Sequence, residues 1–315
     1  MALTEYEGQS PEEIAAVESG LIGKAGLPRR KRVSRRALYT RRFLRNRPAV
    51  AGLVIFLLLV LFALVGGQLA KYNYLDPDFL ALTKGPDGNH WFGTDQSGTD
   101  LYAETVHGLQ RSLIIALFVA AGTTILAAIV GASAAYFRGA YERITLMVIH
   151  FLMVVPSFLI LSLVSNKSGG NWAIIALCLL LITWFYPART VWTLAISVRE
   201  REYVMAARYM GVRGFAIVTR HIVPNIGSLL VITFTLGVVG AVLSETALSF
   251  IGFGVKAPDV SLGSLIGTGA DTITSAPWMF YFPAGALTLL TVSMALIADG
   301  LRDAFDPTSA AGGRA

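Results

Sequence analysis

Six stretches of this chain contain no Asp, Glu, Lys or Arg, and each is long enough to cross a lipid bilayer. They are the 23 residues between Arg47 and Lys71, the 26 between Arg111 and Arg138, the 23 between Arg143 and Lys167, the 21 between Lys167 and Arg189, the 24 between Arg220 and Glu245, and the 27 between Asp271 and Asp299. A helix needs roughly 20 apolar residues to span the hydrocarbon core, and buried helices of soluble proteins rarely run so far without a charge. The expected fold is therefore an all-α integral membrane bundle of six spans, over about residues 49–70, 112–136, 144–165, 172–192, 226–250 and 281–299. The fifth continues past a lone Glu245. Only 15% of the 315 residues are charged and 54% are hydrophobic, against about 25% charged in soluble domains, so much of the surface must face lipid. Alternating strands of about 10 residues, the signature of an outer-membrane barrel, are absent. The single cysteine, Cys178, excludes a disulfide scaffold and reads as a small buried residue.

The net charge of +6 takes its meaning from where the charges fall. With the N-terminus inside, the inner segments collect 21 of the 26 lysines and arginines, and the outer side keeps Lys71, Lys84, Arg111, Lys167 and Lys256. That asymmetry is the positive-inside rule, and it places both termini in the cytoplasm. The basic run Arg29–Arg47, with Leu38, Phe43 and Leu44 among the arginines, is then an interfacial helix near anionic headgroups, closed or bent into the first span by Pro48, and not a nucleic-acid patch. The apolar run after it is too long for a signal-peptide core, so the first helix is read as uncleaved. Residues 1–28, with five glutamates and little apolar periodicity, read as a disordered cytoplasmic tail, and residues 308–315 as a second one.

Three connecting segments are long enough to do more than turn the chain. The outer loops, 71–111 and 251–280, are rich in turn residues, as in Gly85-Pro86-Asp87-Gly88 and Gly252-Phe253-Gly254. They suit docking of an extracytoplasmic partner, with Asp95, Asp100, Pro258 and Trp278 as candidate contacts. The inner segment 193–225 is polar and basic. Arg199 to Arg208 reads as a short helix with a small Ala206-Ala207 pair, Gly211 and Gly214 break it, and a second apolar-periodic stretch (Phe215, Val218, Ile222) ends at Pro224. Two readings stay open on periodicity alone: a knob that another protein grips, and a helix pair lying flat on the membrane.

That inner segment resembles the loop that marks permease subunits of binding-protein-dependent ABC importers: Glu-Ala-Ala, a glycine four positions after the second alanine, then Ile-x-Leu-Pro. Here it stands as Met205-Ala206-Ala207, Gly211 and His221-Ile222-Val223-Pro224, with Met205, His221 and Val223 in place of the glutamate, isoleucine and leucine. Glu202, one turn earlier, is the acidic residue available there. Further segments resemble the C-type permease of dipeptide and oligopeptide importers: Arg45-Asn46-Arg47, Gly93-Thr94-Asp95-Gln96 with Gly98 and Asp100, Glu245-Thr246-Ala247-Leu248-Ser249-Phe250, Ser275-Ala276-Pro277-Trp278, and Asp299-Gly300-Leu301-Arg302-Asp303 through Asp306-Pro307. The chain departs from that pattern at Thr99, where the family often has arginine, and at Met147 and His150, where an Arg and an Asp usually stand three apart. Losing both members of an ion pair leaves no unpaired charge.

The resemblance implies an importer-type permease fold and a division of labour. No Gly-x4-Gly-Lys-Ser/Thr occurs, so this chain lacks that device for cradling nucleotide phosphates, and ATP and Mg belong to separate ATPase subunits. A second homologous permease would complete the pathway and an external binding protein would deliver the peptide. The ATPases would grip Arg199, Glu202, Tyr203, Met205, Ala206, Ala207, Arg208, Gly211, Arg213 and Pro224, and their closure would rock the spans between outward and inward openings. Nickel chelates, glutathione, haem and antimicrobial peptides are alternative cargoes of the same subfamily.

Among the spans, Glu245 with Ser249 is a candidate gating group, since an ionisable residue there is a functional candidate by default. Pro156 is another, because a mid-span proline frees a carbonyl that must face protein or water. His90, Asp95, Asp100, Glu104 and His107 match no metal-binding spacing, and no metal is expected. His150 reads as bonded to a neighbouring carbonyl, and the tryptophans and tyrosines near span ends as an interfacial belt. An ion-coupled secondary transporter, the rival class, would show paired broken helices or repeats, and none is evident. No constellation suited to catalysis converges, so no catalytic residue is expected.

Overall fold

A computed structural model describes residues 35–305. The two tails, the basic segment before residue 35 and the motif end Asp306-Pro307 lie outside the described residues. The regular elements are all helices, with no strand among the described residues beyond one isolated bridge between Thr94 and Asp100. Five helices are long and apolar enough to cross a membrane, and a sharply bent pair makes a sixth span when counted as one.

The basic helix α1 (Arg35–Arg45) ends one residue before α2 (Arg47–Leu69). Asn46 caps α2, its side-chain Oδ1 accepting from the Ala49 N–H at 3.2 Å, and Pro48 sits in the first turn, where a missing N–H costs nothing. Pro48 thus opens the first span. The Asn46 amide also donates to Asp303 Oδ2 at 3.0 Å, tying the start of α2 to the end of α12 (Trp278–Phe305).

The central helix α3 runs from Leu101 to Phe137, 37 residues, about 55 Å at 1.5 Å per residue. It starts well outside the expected span at 112, because Asp100 caps it and its first turns carry Glu104, His107 and Arg111, which a charge-free window excludes. It packs against α2, α12 and the four helices α6 (Trp172–Thr183), α7 (Phe185–Arg199), α10 (Gly227–Phe250) and α11 (Leu262–Asp271). At the α3–α7 crossing a Cβ on Gly131 would lie 2.4 Å from the Ala188 carbonyl, so only glycine permits that approach.

Where one kinked span is expected there are two helices: α4 (Gly139–Val154) and α5 (Ser157–Lys167) meet at 74° around Pro156. On α4, Met147 and His150 are both exposed, so neither departure from the family pattern strands a polar group in the core. The fourth span, α6 and α7 together, continues to Arg199, past the expected end at 192. The inner segment then forms α8 (Glu202–Tyr209), a short α9 (Gly214–Ile217), a π-helical turn at Val218–Ile222 and a 3-10 turn at Val223–Ile226 that leads into α10. The outer segment 251–280 contains α11, capped by Ser261 with a reciprocal Ser264 bond.

Two large hydrophobic cores hold the bundle, with a small third one of Leu101, Ala276 and Met279 at the outer end. One joins Leu59, Leu109, Ile115, Leu179, Val242 and Leu290. The other joins Ala132, Phe185, Val191 and Val198 to Val204, Ala207, Ile217 and Ile222 of the inner segment. The outside stays apolar: Leu57, Leu61 and Leu64 on α2, Phe151 and Val154 on α4, and Leu163 on α5 are exposed, a wall suited to lipid and not to water.

Candidate coupling segment and outer gate

On the basic side of the bundle, α8 is half rooted and half presented. Val204 and Ala207, three apart on one helical face, are 2% exposed and lie in the same core as Val191 of α7 and Ala132 of α3. The remaining residues of the helix, Glu202, Tyr203, Met205, Ala206, Arg208 and Tyr209, are exposed, and so are Arg213 and Pro224. Tyr209 and Met210 at its tip are 86% and 76% exposed, and Phe215 is also exposed. The surface is thus apolar knobs among arginines, which suits a protein partner better than water.

Gly211 ends the helix with φ +78°, a left-handed conformation that side chains resist. Its N–H donates to the Arg208 carbonyl at 3.0 Å and the Val212 N–H to the Ala207 carbonyl at 3.1 Å, satisfying carbonyls the helix end would orphan. Arg199, expected among the coupling residues, has its side chain turned onto the bundle and 10% exposed. Its guanidinium bonds the Ala135 carbonyl of α3 and pairs with Glu200 at 2.6 Å, because the end of α7 lies beside the end of α3. Trp192 of α7 donates to Glu142 of α4 at 2.8 Å. The segment is therefore tied to α3 through Arg199, and α7, from which it continues, is tied to α4.

On the opposite side, Glu245 is completely buried in α10. One carboxylate oxygen accepts from Ser249 and from Ser261, each at 2.6 Å, while Oε2 has no hydrogen-bond partner. Ser261 also caps α11, so this carboxylate joins the outer end of α10 to the start of α11. Sequence reading finds Glu245 and Ser249 by composition and spacing, but Ser261 lies 16 residues away and gives no local signal.

The outer loop 71–100 is a framed structure. Asp100 is a correction to the expectation of a surface contact: it is 3% exposed, because Oδ1 caps α3 through the Ala103 N–H at 2.9 Å and Oδ2 meets His90 Nδ1 at 2.8 Å. Asp95 is half-buried and accepts from Ser97 and Thr99 N–H groups at 2.8 and 2.7 Å. The half-buried Trp278 donates its indole N–H to the Thr94 carbonyl at 3.1 Å, fastening the loop to α12. Pro258 is exposed. The backbone N–H of His90, the Lys84 ammonium and the Asn89 N–H hold the Asp87 carboxyl well below the usual range.

A second outer network was not foreseen. His107 Nε2 meets Asp259 Oδ1 at 2.8 Å and Arg111 Nε reaches Asp259 Oδ2 at 2.8 Å, joining α3 to the loop before α11. Tyr74 stacks on His107 at 3.8 Å, and the Arg111 guanidinium lies 4.7 Å above Trp172. Burial pushes the Asp259 carboxyl up, but the bonds from Arg111 and His107 outweigh it and hold the group below its usual value.

A multi-helix membrane bundle with an exposed short helix rooted in its core on one side and a latched loop on the other defines a multi-pass integral membrane protein. Residues 124–310 match the family described as binding-protein-dependent transport system inner membrane component. Residues 34–86 match the N-terminal transmembrane domain of oligopeptide transport permease C. The chain is 47% identical to the oligopeptide transport system permease protein OppC of Mycobacterium tuberculosis (strain H37Rv), over 88% of this chain and 96% of that one. The Bacillus subtilis (strain 168) protein of the same description is 32% identical over 84% and 87%. The chain belongs to the family of binding-protein-dependent transport system inner membrane components. It is a multi-pass permease of the bacterial inner membrane, a transport component and not an enzyme.

Proposed function

We propose that this chain forms half of the pathway of an ATP-driven peptide importer, beside a second homologous permease, with ATPase subunits on its cytoplasmic face and a binding protein on its outer face. The observation that carries this reading is the division of α8 into a buried face, Val204 and Ala207, continuous with the core of α3 and α7, and an exposed face, Tyr203, Met205, Ala206 and Tyr209. A flat interfacial helix would bury its apolar side chains in lipid and would not share a core with two spans.

In this mechanism the ATPases bind and hydrolyse ATP with Mg, and their closure displaces α8. Gly211 keeps α8 a short rigid lever, Arg208 and Arg213 meet acidic groups of the ATPase, and Pro224 sets the return into α10. Arg199 acts as a brace that carries the displacement into α3. At the outer end, Glu245 with Ser249 and Ser261 sets whether α10 and α11 move as one piece, and the break at Pro156 lets α4 and α5 shift separately. Pro258 and the frame held by Asp95 and Trp278 form the face for the binding protein. Peptide cargo is supported by the names of the relatives, which are oligopeptide permeases.

The test is co-reconstitution of this chain with its partner permease, ATPases and binding protein in proteoliposomes, scoring uptake of labelled short peptides. ATP-dependent uptake that requires the binding protein is expected. Uptake of a nickel chelate, glutathione or haem but of no peptide would overturn the cargo, and uptake driven by an ion gradient without ATP would overturn the coupling.

A further inference from the structure

Glu104, in the first turn of α3, is 7% exposed, and its Oε2 has no hydrogen-bond partner. No ion pair reaches it among the described residues, while Asp95 and Asp100 lie close enough to repel its charge. A carboxylate held out of water without a donor is destabilised, and a cation that pairs with it removes that cost. Glu104 lines an outer cavity of about 460 Å³ bounded by the start of α3, the end of α10, the loop 252–260 and α11, within the range of small-ligand pockets. Two other carboxylates of its wall are already engaged: Asp95 by the turn at Ser97 and Thr99, Asp259 by His107 and Arg111. Asp271, exposed at the mouth, forms no ion pair among the described residues. The one lysine of the lining, Lys256, is exposed, and its backbone N–H donates to the Gly170 carbonyl at 3.3 Å.

The chemistry selects the kind of cation. Among the described residues no three His, Cys, Asp or Glu side chains gather as a metal ion requires. An ammonium needs less: three N–H donors, one counter-charge and neutral acceptors. Thr268 supplies a hydroxyl on the cavity wall, its hydrogen directed to the Ser264 carbonyl at 3.2 Å and its oxygen still able to accept. We propose that this cavity receives the amino-terminal ammonium of the peptide cargo, with Glu104 as its counter-charge. The site rests on the peptide reading above and adds selection for a free amino terminus inside the permease itself, distinct from any selection made by the binding protein.

The test uses the purified permease–ATPase complex without binding protein, probed with a short peptide and its N-acetylated twin. The free-amine peptide should raise the melting temperature of the unaltered complex, and the acetylated one should bind at least about tenfold more weakly, the loss expected for one charge-assisted bond. Glu104→Gln should erase that difference without lowering the unliganded melting temperature, since Oε2 has no bond to lose and an unpaired buried carboxylate is removed. Equal binding of both peptides to the unaltered complex would overturn the site, a comparison that needs no variant to fold. Stabilisation by sodium or potassium alone, with no further effect of peptide, would overturn it in favour of an inorganic cation. Peptide uptake in proteoliposomes together with either result leaves the importer reading standing, whereas absence of uptake by the unaltered complex removes both.

Discussion

Replacing Gly211 tests the lever directly, because the structure separates conformational strain from crowding there. Gly211 has φ +78°, and a Cβ built on it meets no atom within 4 Å. The penalty of a side chain is therefore conformational, about 1–2 kcal/mol for an L-residue in the left-handed region and greatest for a β-branched one. Against it stand the two capping bonds, Gly211 to Arg208 and Val212 to Ala207, net about 1 kcal/mol each. Strain and cap are thus nearly matched in Gly211→Val, and the last turn of α8 should open in a large fraction of molecules. Gly211→Asn should be mild, because asparagine tolerates this conformation, and Gly211→Ala intermediate. The assay is peptide taken up per ATP hydrolysed in proteoliposomes, beside the yield of assembled complex. We expect assembly to hold, since Val204 and Ala207 keep α8 rooted, and the coupling ratio to fall by about twofold in Gly211→Val, as matched strain and cap leave about half of the molecules with the last turn open. An unchanged ratio across Asn, Ala and Val would refute the lever.

Gly131→Ala should lower the melting temperature of the complex by several degrees, since a Cβ 2.4 Å from the Ala188 carbonyl forces α3 and α7 apart at about 1–3 kcal/mol; an unchanged melt would contradict the close crossing. Ser261→Ala removes both a donor to Glu245 and the cap of α11, so faster hydrogen exchange over 262–271 is expected, and wild-type protection there would dissociate Glu245 from α11. The Asp259 latch gives a pH signature. A carboxyl held below its unfolded value of about 3.9 contributes stability that is fully present above that value and lost as pH falls through the lower folded one. The melting difference between wild type and Asp259→Asn should therefore persist from pH 7 to about 5 and shrink only in stronger acid, and a difference that vanishes by pH 6 would contradict a carboxylate held ionised by Arg111.

The membrane class was legible because bilayer thickness imposes a length that charge-free windows measure directly, as Arg47 to Lys71 does for α2. The same measure hides the outer turns of α3, where Glu104, His107 and Arg111 are folded into helix by the Asp100 cap and by contacts far along the chain. The break at Pro156 was legible as a proline, but its 74° was not, since the angle depends on what α5 packs against. At the site, the small pair Ala206-Ala207 and the glycine carry a local signal, whereas the burial of Ala207 beneath an exposed Ala206 is set by tertiary packing. Asp259 and Ser261 act through partners 148 and 16 residues away and leave no periodicity to read. Asp100 misled because a helix cap and a surface contact use the same residue types in the same loops.

The central claim is that α8 is the handle by which ATPases move the spans. A photo-crosslinking residue at Tyr209, 86% exposed at the tip of α8, tests it in assembled complexes in native membranes. The account predicts an adduct with an ATPase subunit whose yield changes when ATP is bound, and none with the ATPase from a matching probe at Pro258. No ATPase adduct from Tyr209 in a complex that still hydrolyses ATP and imports peptide would contradict it.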